Sequence, residues 1–247
     1  TTNEPPAPTL VPVVGRITAD VSRMPRAELL RTIELFVDSN YSSPIALEAL
    51  ILQEMTPATT TEGEIVSSLA PITLERFFER LGTRAPGRLL RAIGPDMTIG
   101  RAGGTPFIVT LSNSYETAFA GLLEWEPFMA EDLPFIAKKE TSDETRGTME
   151  TPGGATTTTT SSSSVDQTST TSTSAGSSTL FSFLVPRSSP VWKDIIVKNK
   201  DVRALVAHDG EVLLLYAFPK DGLLIIAQTR EAFMLVVDAL NAPVFGM

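Results

Sequence analysis

Apolar residues in the first 95 positions recur mostly at helical spacing. Residues 13–21 alternate loosely between apolar and polar side chains, which predicts a first strand. Four helices are predicted after it, because apolar residues return every three or four positions and turn or capping residues flank each run. These helices cover residues 25–37, 45–51, 73–81 and 86–93. The pattern therefore predicts a helical N-terminal half.

Strand patterns dominate the later part of the chain. Residues 97–100 and 107–111 read as a β-hairpin whose turn contains Gly103 and Gly104. After residue 190, short apolar runs alternate with tight polar turns that contain Gly. They predict strands at 191–197, 202–207, 212–218 and 223–227.

Two helices follow these strand pairs. The longer one is predicted from Ser114 to about Leu133, with Asn113 as its cap and Glu116 in a capping-box position. Pro127 is expected to bend or interrupt it. The shorter one is predicted over 230–240. The buried side of the longer helix is expected to carry Tyr115, Ala118, Phe119, Leu122, Leu123 and Trp125.

Residues 107–119 and 223–233 resemble each other in order. Each has an apolar strand, a polar cap, and then a helix in which an acidic residue is followed closely by Ala-Phe. Each also follows a hairpin with Gly in its turn. Two interpretations stay open, a duplicated β-β-α unit or a common local solution that occurs twice.

A tract from Thr156 to Thr179 has Ser or Thr at nineteen of twenty-four positions. Such a composition cannot bury enough apolar surface to offset chain ordering, so residues 135–190 are predicted to be a disordered insertion. Residues 1–12 are predicted to be a Pro-rich linker. Residues 13–134 and 191–247 are expected to form one α+β domain, with hairpins and helices packed on an antiparallel sheet. Two separate domains are the alternative.

The composition limits the chemistry that the chain can perform. A hydrophobic content of 42% is sufficient for a core, and the net charge of −9 disfavours general attraction to nucleic acid or an anionic membrane surface. The absence of Cys excludes disulfides, thiolate nucleophiles and zinc–thiolate sites. No cofactor is expected. His208 is the single histidine and is predicted to lie exposed in a hairpin turn.

Acidic residues are densest near the end of the long helix. A hydrolase that uses paired carboxylates would need two of them about 5–10 Å apart. Glu124 and Glu126 are two positions apart, however, and point to different sides of a helix. Trp125 between them is expected to be a core residue. The candidates are Glu124, Glu126, Glu131 and Asp132.

Five arginines form a locally basic stretch in this acidic chain. Glu75 and Glu79 interleave with them, so a solvated and partly self-paired surface is the first interpretation. A partner-binding or anion-binding patch is the alternative, since helical spacing places pairs of these arginines on one face. The five are Arg76, Arg80, Arg84, Arg88 and Arg91, and the candidate partner-binding residues are Arg84, Arg88 and Arg91.

Three stretches resemble a family of uncharacterised membrane-anchored bacterial proteins found in small-genome, Patescibacteria-like candidate-phylum bacteria. They are Thr83–Asp96 (TRAPGRLLRAIGPD), Ser114–Glu126 (SYETAFAGLLEWE) and Val197–Arg203 (VKNKDVR). The resemblance implies a transmembrane helix upstream of Thr1 and a soluble extracytoplasmic region. It implies no active-site residues. The Pro-rich start fits a removed signal or anchor, and it equally fits ordinary trimming of the sequence.

These observations lead to one functional prediction and two alternatives. The prediction is a non-catalytic, membrane-tethered extracytoplasmic module that binds a protein partner or scaffolds an assembly of the cell envelope. The first alternative is a carboxylate-based envelope hydrolase. The second is an anion or nucleic-acid binder that uses the basic stretch from Arg76 to Arg91.

Overall fold

A computed structural model describes residues 9–39, 43, 45–59, 65–138 and 189–242. These residues belong to a compact unit made of Thr1–Glu140 and Ser188–Met247, whereas the second unit, Thr141–Arg187, lies outside the described residues. The predicted Ser/Thr-rich insertion also lies outside them, except for residues 135–138 and 189–190. So do residues 1–8 of the predicted linker.

The described residues form nine strands and five helices. The strands are β1 (Gly15–Asp20), β2 (Leu47–Thr59), β3 (Ile65–Pro71), β4 (Ile93–Ala102), β5 (Thr105–Ser112), β6 (Val191–Val197), β7 (Lys200–Val206), β8 (Val212–Lys220) and β9 (Leu223–Ala227). The helices are α1 (Arg26–Asp38), α2 (Leu74–Leu81), α3 (Gly87–Ala92), α4 (Tyr115–Asp132) and α5 (Arg230–Asn241). The α+β class predicted from the sequence is confirmed. No helix among the described residues is long and apolar enough to cross a membrane.

All nine strands join one sheet. Its order is β1-β2-β4-β5-β9-β8-β7-β6, and β3 pairs with the outer part of β2. At the centre, β5 pairs antiparallel with β9, with Val109 opposite Ile225. Strands from before and after the Ser/Thr-rich tract therefore hydrogen-bond directly to each other.

Helices cover both faces of the sheet. Neighbouring residues of β5 show this, because successive side chains of a strand point to opposite faces. Ile108 packs in a core with α1, α2, α3 and α4, while Phe107 and Val109 pack in a second core with α5. The described residues are thus layered as helices, sheet and helix, with two separate hydrophobic cores.

The predicted helix over 45–51 is wrong, and with it the expectation of a helical N-terminal half. These residues start β2, which lies between β1 and β4. Ala49, Leu50, Ile51 and Leu52 are all buried. A strand covered on both faces reads as a continuous apolar run, which periodicity cannot distinguish from a short helix. The sheet is also mixed rather than antiparallel, because β1 runs parallel to β2.

The other helices are confirmed, but the cap and the buried face of α4 differ from the prediction. Its cap is Ser114 instead of Asn113, since the Ser114 side chain accepts a hydrogen bond from the Thr117 backbone N–H. Pro127 stays inside the helix. Tyr115 and Leu123 are 54% and 40% exposed rather than buried, because α4 packs along a narrower stripe than predicted.

The N-terminal segment is anchored before β1 begins. Val11 is buried in the core under α5, and the Leu10 backbone N–H donates to Thr98 Oγ1 at 2.9 Å. The last residues of the predicted linker, 9–12, therefore pack against the sheet.

The two β-β-α segments do not have the same three-dimensional arrangement. If the two segments were related by a twofold axis, that axis would stand normal to the sheet, because it must exchange the antiparallel strands β5 and β9. Such a rotation would keep each face of the sheet in place, so both following helices would lie on the same face. Instead α4 and α5 pack in different cores on opposite faces. The similarity in sequence is local to the strand, cap and first helical turn.

We expect Gly121→Ala to lower the free energy of unfolding by about 1–2 kcal/mol. An added Cβ would lie 2.7 Å from Leu89 Cβ and 2.9 Å from Leu89 Cα, so α3 would have to move away from α4. Overpacking of this kind costs about 1–3 kcal/mol, and the better helix propensity of Ala returns up to about 1 kcal/mol. Denaturant unfolding followed by circular dichroism measures the difference.

Gly87→Ala is the matched control for this substitution. Its Cβ would meet only the flexible end of Arg91, at 3.3 Å, so its stability should be unchanged or slightly higher. Equal destabilisation by both substitutions would contradict the close packing of α3 on α4.

Candidate binding cleft

The predicted basic stretch is largely neutralised by carboxylates. Arg84 pairs with Asp132 and Glu131, and Arg88 pairs with Glu124. Arg91 is exposed and makes no ion pair with any described residue. The prediction that Arg84, Arg88 and Arg91 bind a partner stays a prediction, but two of the three already hold α4 against the segments before it.

Arg76 and Arg80 converge on a single carboxylate, Glu54 of β2. Arg76 Nε and Nη2 each lie 3.1 Å from it, and Arg80 Nη2 lies 2.9 Å away. Arg80 also donates to the carbonyl oxygens of Ser22 and Met24. The hydrogen bond from Arg76, followed by that from Arg80, lowers the pKa of Glu54 from its ordinary value of 4.5 to about 2.

This low pKa predicts a loss of stability in acid. Glu54 favours the folded state while it is ionised there, so its contribution is complete above pH about 4.5 and disappears as the pH falls towards 2. The whole shift corresponds to about 3 kcal/mol, which solvent screening reduces to about 1–2 kcal/mol. The measurement is denaturant unfolding of the wild type and of Glu54→Gln between pH 7 and pH 2.5. The two curves should converge in acid, and a constant difference would contradict the assignment.

The four candidate carboxylates each contact an arginine rather than one another. Glu124 and Glu131 are exposed and contact Arg88 and Arg84. Asp132 is buried and accepts from Trp125 Nε1 at 2.7 Å and from Arg84. Glu126 faces the sheet on the other side of α4. Trp125 is fully buried, as expected for a core residue.

A cleft with a volume of about 870 Å³ opens among the described residues. It is lined by the end of β5 and the start of α4 on one side and by residues of β7 and β8 on the other. The β6–β7 and β8–β9 turns form its rim. Its size lies within the range of small-molecule and peptide pockets.

An aromatic wall lines one side of the cleft, formed by Tyr115 and Phe119 of α4 and by Tyr216 and Phe218 of β8. Tyr115 stacks on Phe119 with ring centroids 5.7 Å apart and meets the edge of Phe218 at 5.0 Å. Phe119 in turn meets Tyr216 at 6.4 Å. Tyr115 keeps 54% of its surface exposed, so the wall presents an open ring to the cleft.

A polar network forms the floor, in which Tyr216 is buried, Glu126 and Arg203 are partly buried, and Asp194 is exposed. The Glu126 carboxylate accepts from Arg203 Nε at 2.8 Å and from the Tyr216 hydroxyl at 2.9 Å, and Arg203 also reaches Asp194 at 3.2 Å. Burial, together with the adjacent Glu126 charge, raises the pKa of Tyr216 well above its ordinary value. The hydrogen bond with Glu126 raises the pKa of Arg203. Tyr216 therefore keeps its phenol proton, and Arg203 its charge, at physiological pH.

Sequence reasoning missed this cleft. Its two sides come from residues 112–119 and 194–222, which are about 80 positions apart, and no local pattern links them. Tyr115 was expected to be buried, and Arg203 and Phe218 read as ordinary strand residues. The one available signal was an aromatic pair at the start of a helix, which is equally typical of a core.

His208 lies exposed in the β7–β8 turn, as predicted. No group of three or more His, Asp or Glu side chains within the described ranges is arranged to hold a metal ion. The cleft thus offers aromatic surface, fixed charges and hydrogen-bonding groups.

Comparisons of the chain with protein-family models, with curated proteins and with solved structures found no match.

Proposed function

We propose that this protein is a non-catalytic, membrane-tethered extracytoplasmic module of the bacterial cell envelope that binds a protein partner through the cleft. The observation that carries the proposal is the open aromatic wall, with Tyr115 half exposed beside a preformed pocket. Exposed aromatic residues beside a concave surface are typical of interaction sites. The tether and the envelope location rest on the sequence resemblance alone.

A rigid floor favours recognition by this cleft. Arg203 and Tyr216 are both held by Glu126, so the side chains under a ligand have little freedom to lose on binding. A preorganised surface binds more tightly than a mobile one of equal area, because fewer side chains must be ordered.

The contacts of the carboxylates do not favour the hydrolase alternative. Glu124, Glu131 and Asp132 contact arginines outside the cleft, and Glu126 is held by Arg203 and Tyr216 beneath it. A general acid needs a carboxyl group that can exchange a proton with a substrate, and these four groups are engaged in stabilising contacts.

The contacts of the arginines give the anion-binding alternative no support either. Arg76, Arg80, Arg84 and Arg88 each contact at least one carboxylate. A phosphate would have to displace these carboxylates to bind the four arginines. Arg91 is the member of the stretch that makes no ion pair with any described residue.

Photo-crosslinking in the native bacterium tests the proposal. A photo-crosslinking amino acid would replace Tyr115 in the full-length protein, and in a second strain it would replace Leu35, which is 61% exposed on α1. We expect a distinct protein adduct from position 115, in the membrane fraction, that is absent from position 35. The same adducts from both positions would contradict binding through the cleft, and adducts confined to the cytosolic fraction would contradict the envelope location.

A further inference from the structure

Some of the charged side chains around the cleft already have partners within the protein, and others do not. Three aspartates and three basic residues line it: Asp194, Asp201, Asp221, Lys200, Arg203 and Lys220. Arg203 is held by Glu126 and Asp194, and Lys220 Nζ donates to the Leu240 carbonyl oxygen at 2.7 Å. Arg203 is therefore paired with carboxylates, whereas the Lys220 ammonium keeps its charge but is held at the end of α5, on the other face of the sheet from the aromatic wall.

Two of the three aspartates, in contrast, are available to a ligand. Asp201 and Asp221 are exposed, and neither makes a hydrogen bond or ion pair through its side chain with any described residue. The third basic residue, Lys200, precedes Asp201 in β7, so the alternation of the strand directs the two side chains to opposite faces. The charge that remains to be matched on the aromatic face is negative.

The aspartates lie next to the aromatic wall. Asp201 and Arg203 share one face of β7, and Arg203 is the cross-strand partner of Tyr216, two residues before Phe218 in β8. Asp221 belongs to the β8–β9 turn directly after that strand. Electron-rich ring faces beside free carboxylates are the surroundings that proteins use to hold an ammonium or guanidinium group.

We propose that the cleft recognises a peptide segment of the partner that carries a lysine or arginine side chain. Its cation lies against the Tyr115–Phe218 wall and pairs with Asp201 and Asp221, while its apolar stem covers the rings. The net charge of −9 on the whole chain steers a basic segment towards this surface. This inference rests on the proposed function and adds the chemistry of the partner.

The first test is titration of the full chain with a short basic peptide, followed by NMR of its backbone amides. The probe is acetyl-Gly-Arg-Gly-Arg-Gly-amide, and the matched control peptide has citrulline in place of each arginine, which keeps the shape and removes the charge. We expect saturable shifts at residues 115, 203 and 218, with the citrulline peptide binding about tenfold or more weakly. Raising the salt concentration should weaken binding of the arginine peptide.

Substitutions test the contribution of the two aspartates separately from that of the aromatic wall. The double substitution Asp201→Asn with Asp221→Asn should weaken binding of the arginine peptide about fivefold to tenfold, and Tyr115→Ala should do so to a similar extent. Asp96→Asn removes the same charge from an exposed position on β4, outside the cleft, and should leave binding unchanged. All of these side chains are exposed, so the variants should fold normally.

Several results would overturn the inference. Equal binding of the citrulline peptide, insensitivity to the two Asp→Asn changes, or stronger binding of an acidic peptide would each exclude recognition of a cation. Saturating shifts in the cleft from chitotetraose, without a response to the basic peptide, would identify a glycan site instead. If no basic peptide binds but the specific crosslink from position 115 persists, this inference fails and the proposed function survives. If both fail, the proposed function fails as well.

Discussion

Replacing Arg101 with Met should lower the free energy of unfolding by about 3–5 kcal/mol, enough to leave a marginally stable domain largely unfolded. Arg101 is 2% exposed and pairs with the buried Glu48. Its Nη1 also donates to the carbonyl oxygens of Phe36 and Ser39, each at 2.5 Å, at the end of α1. The substitution therefore leaves a buried carboxylate and several carbonyl groups without this donor.

The matched control is Arg88→Met. Arg88 also pairs with a carboxylate, Glu124, but both side chains are about half exposed, so the loss should be below about 1 kcal/mol. The double variant Arg101→Met with Glu48→Gln should recover part of the lost stability, because it also removes the buried negative charge that Arg101 would otherwise balance. Denaturant unfolding of the four proteins measures these effects, and equal losses at positions 101 and 88 would contradict the distinction.

Asp132→Ala should cost about 2–4 kcal/mol. Asp132 accepts from Trp125 Nε1 and from the Arg84 backbone N–H, each at 2.7 Å, and from Arg84 Nε at 2.9 Å. It thereby connects the buried indole of α4 to the segment between α2 and α3. Alanine would leave the indole N–H and the backbone N–H without an acceptor.

Glu131→Ala is the control from the neighbouring position. Glu131 contacts the same arginine but its side chain is 74% exposed, so its removal should cost less than about 1 kcal/mol. Unfolding followed by tryptophan fluorescence distinguishes the two. A small effect at Asp132 would contradict its structural role. Arg84 and Asp132 would then again be candidates for binding a partner.

These contacts reveal how the basic stretch is used. Arg76 and Arg80 bind Glu54 on β2, whereas Arg84 and Arg88 bind acidic residues of α4. The arginines of α2, α3 and the turn between them thus fasten this helical segment to the sheet on one side and to α4 on the other. Helical spacing correctly placed Arg76 and Arg80 on one face, where both reach Glu54, and Arg76 also pairs with Glu79 three positions on. The carboxylates that bind these two arginines across the fold, and those that bind Arg84 and Arg88, are 22 to 48 positions away in the chain.

Local sequence patterns predicted most helices and hairpins, because neighbouring residues in the chain determine where these elements begin and end. The Gly103-Gly104 turn has positive φ at both residues, as a tight hairpin requires, and the β4–β5 hairpin is where it was expected. Gly82 likewise ends α2 in the left-handed conformation. Thr229 caps α5 by accepting a hydrogen bond from the Ala232 backbone N–H, an interaction that needs only one side chain and the first turn of the helix.

Long-range pairing decided what local patterns left open. Residues 45–51 carry apolar side chains that suit a helix or a buried strand, and hydrogen bonds to both β1 and β4 select the strand. The parallel direction of β1 depends on the crossover through α1, which no short window contains.

The sequence by itself determined the α+β class, most helices and hairpins, and the shortage of catalytic side chains such as Cys and His. Only the tertiary structure decided which charges are already paired and where aromatic rings remain open. The physical reason is that a helix or turn is stabilised by neighbours within a few residues, whereas a binding surface is what remains after distant segments have packed. The cleft is such a surface, because its lining comes from the first turns of α4, at Tyr115 and Phe119, and from strands β7 and β8 about 80 or more positions later.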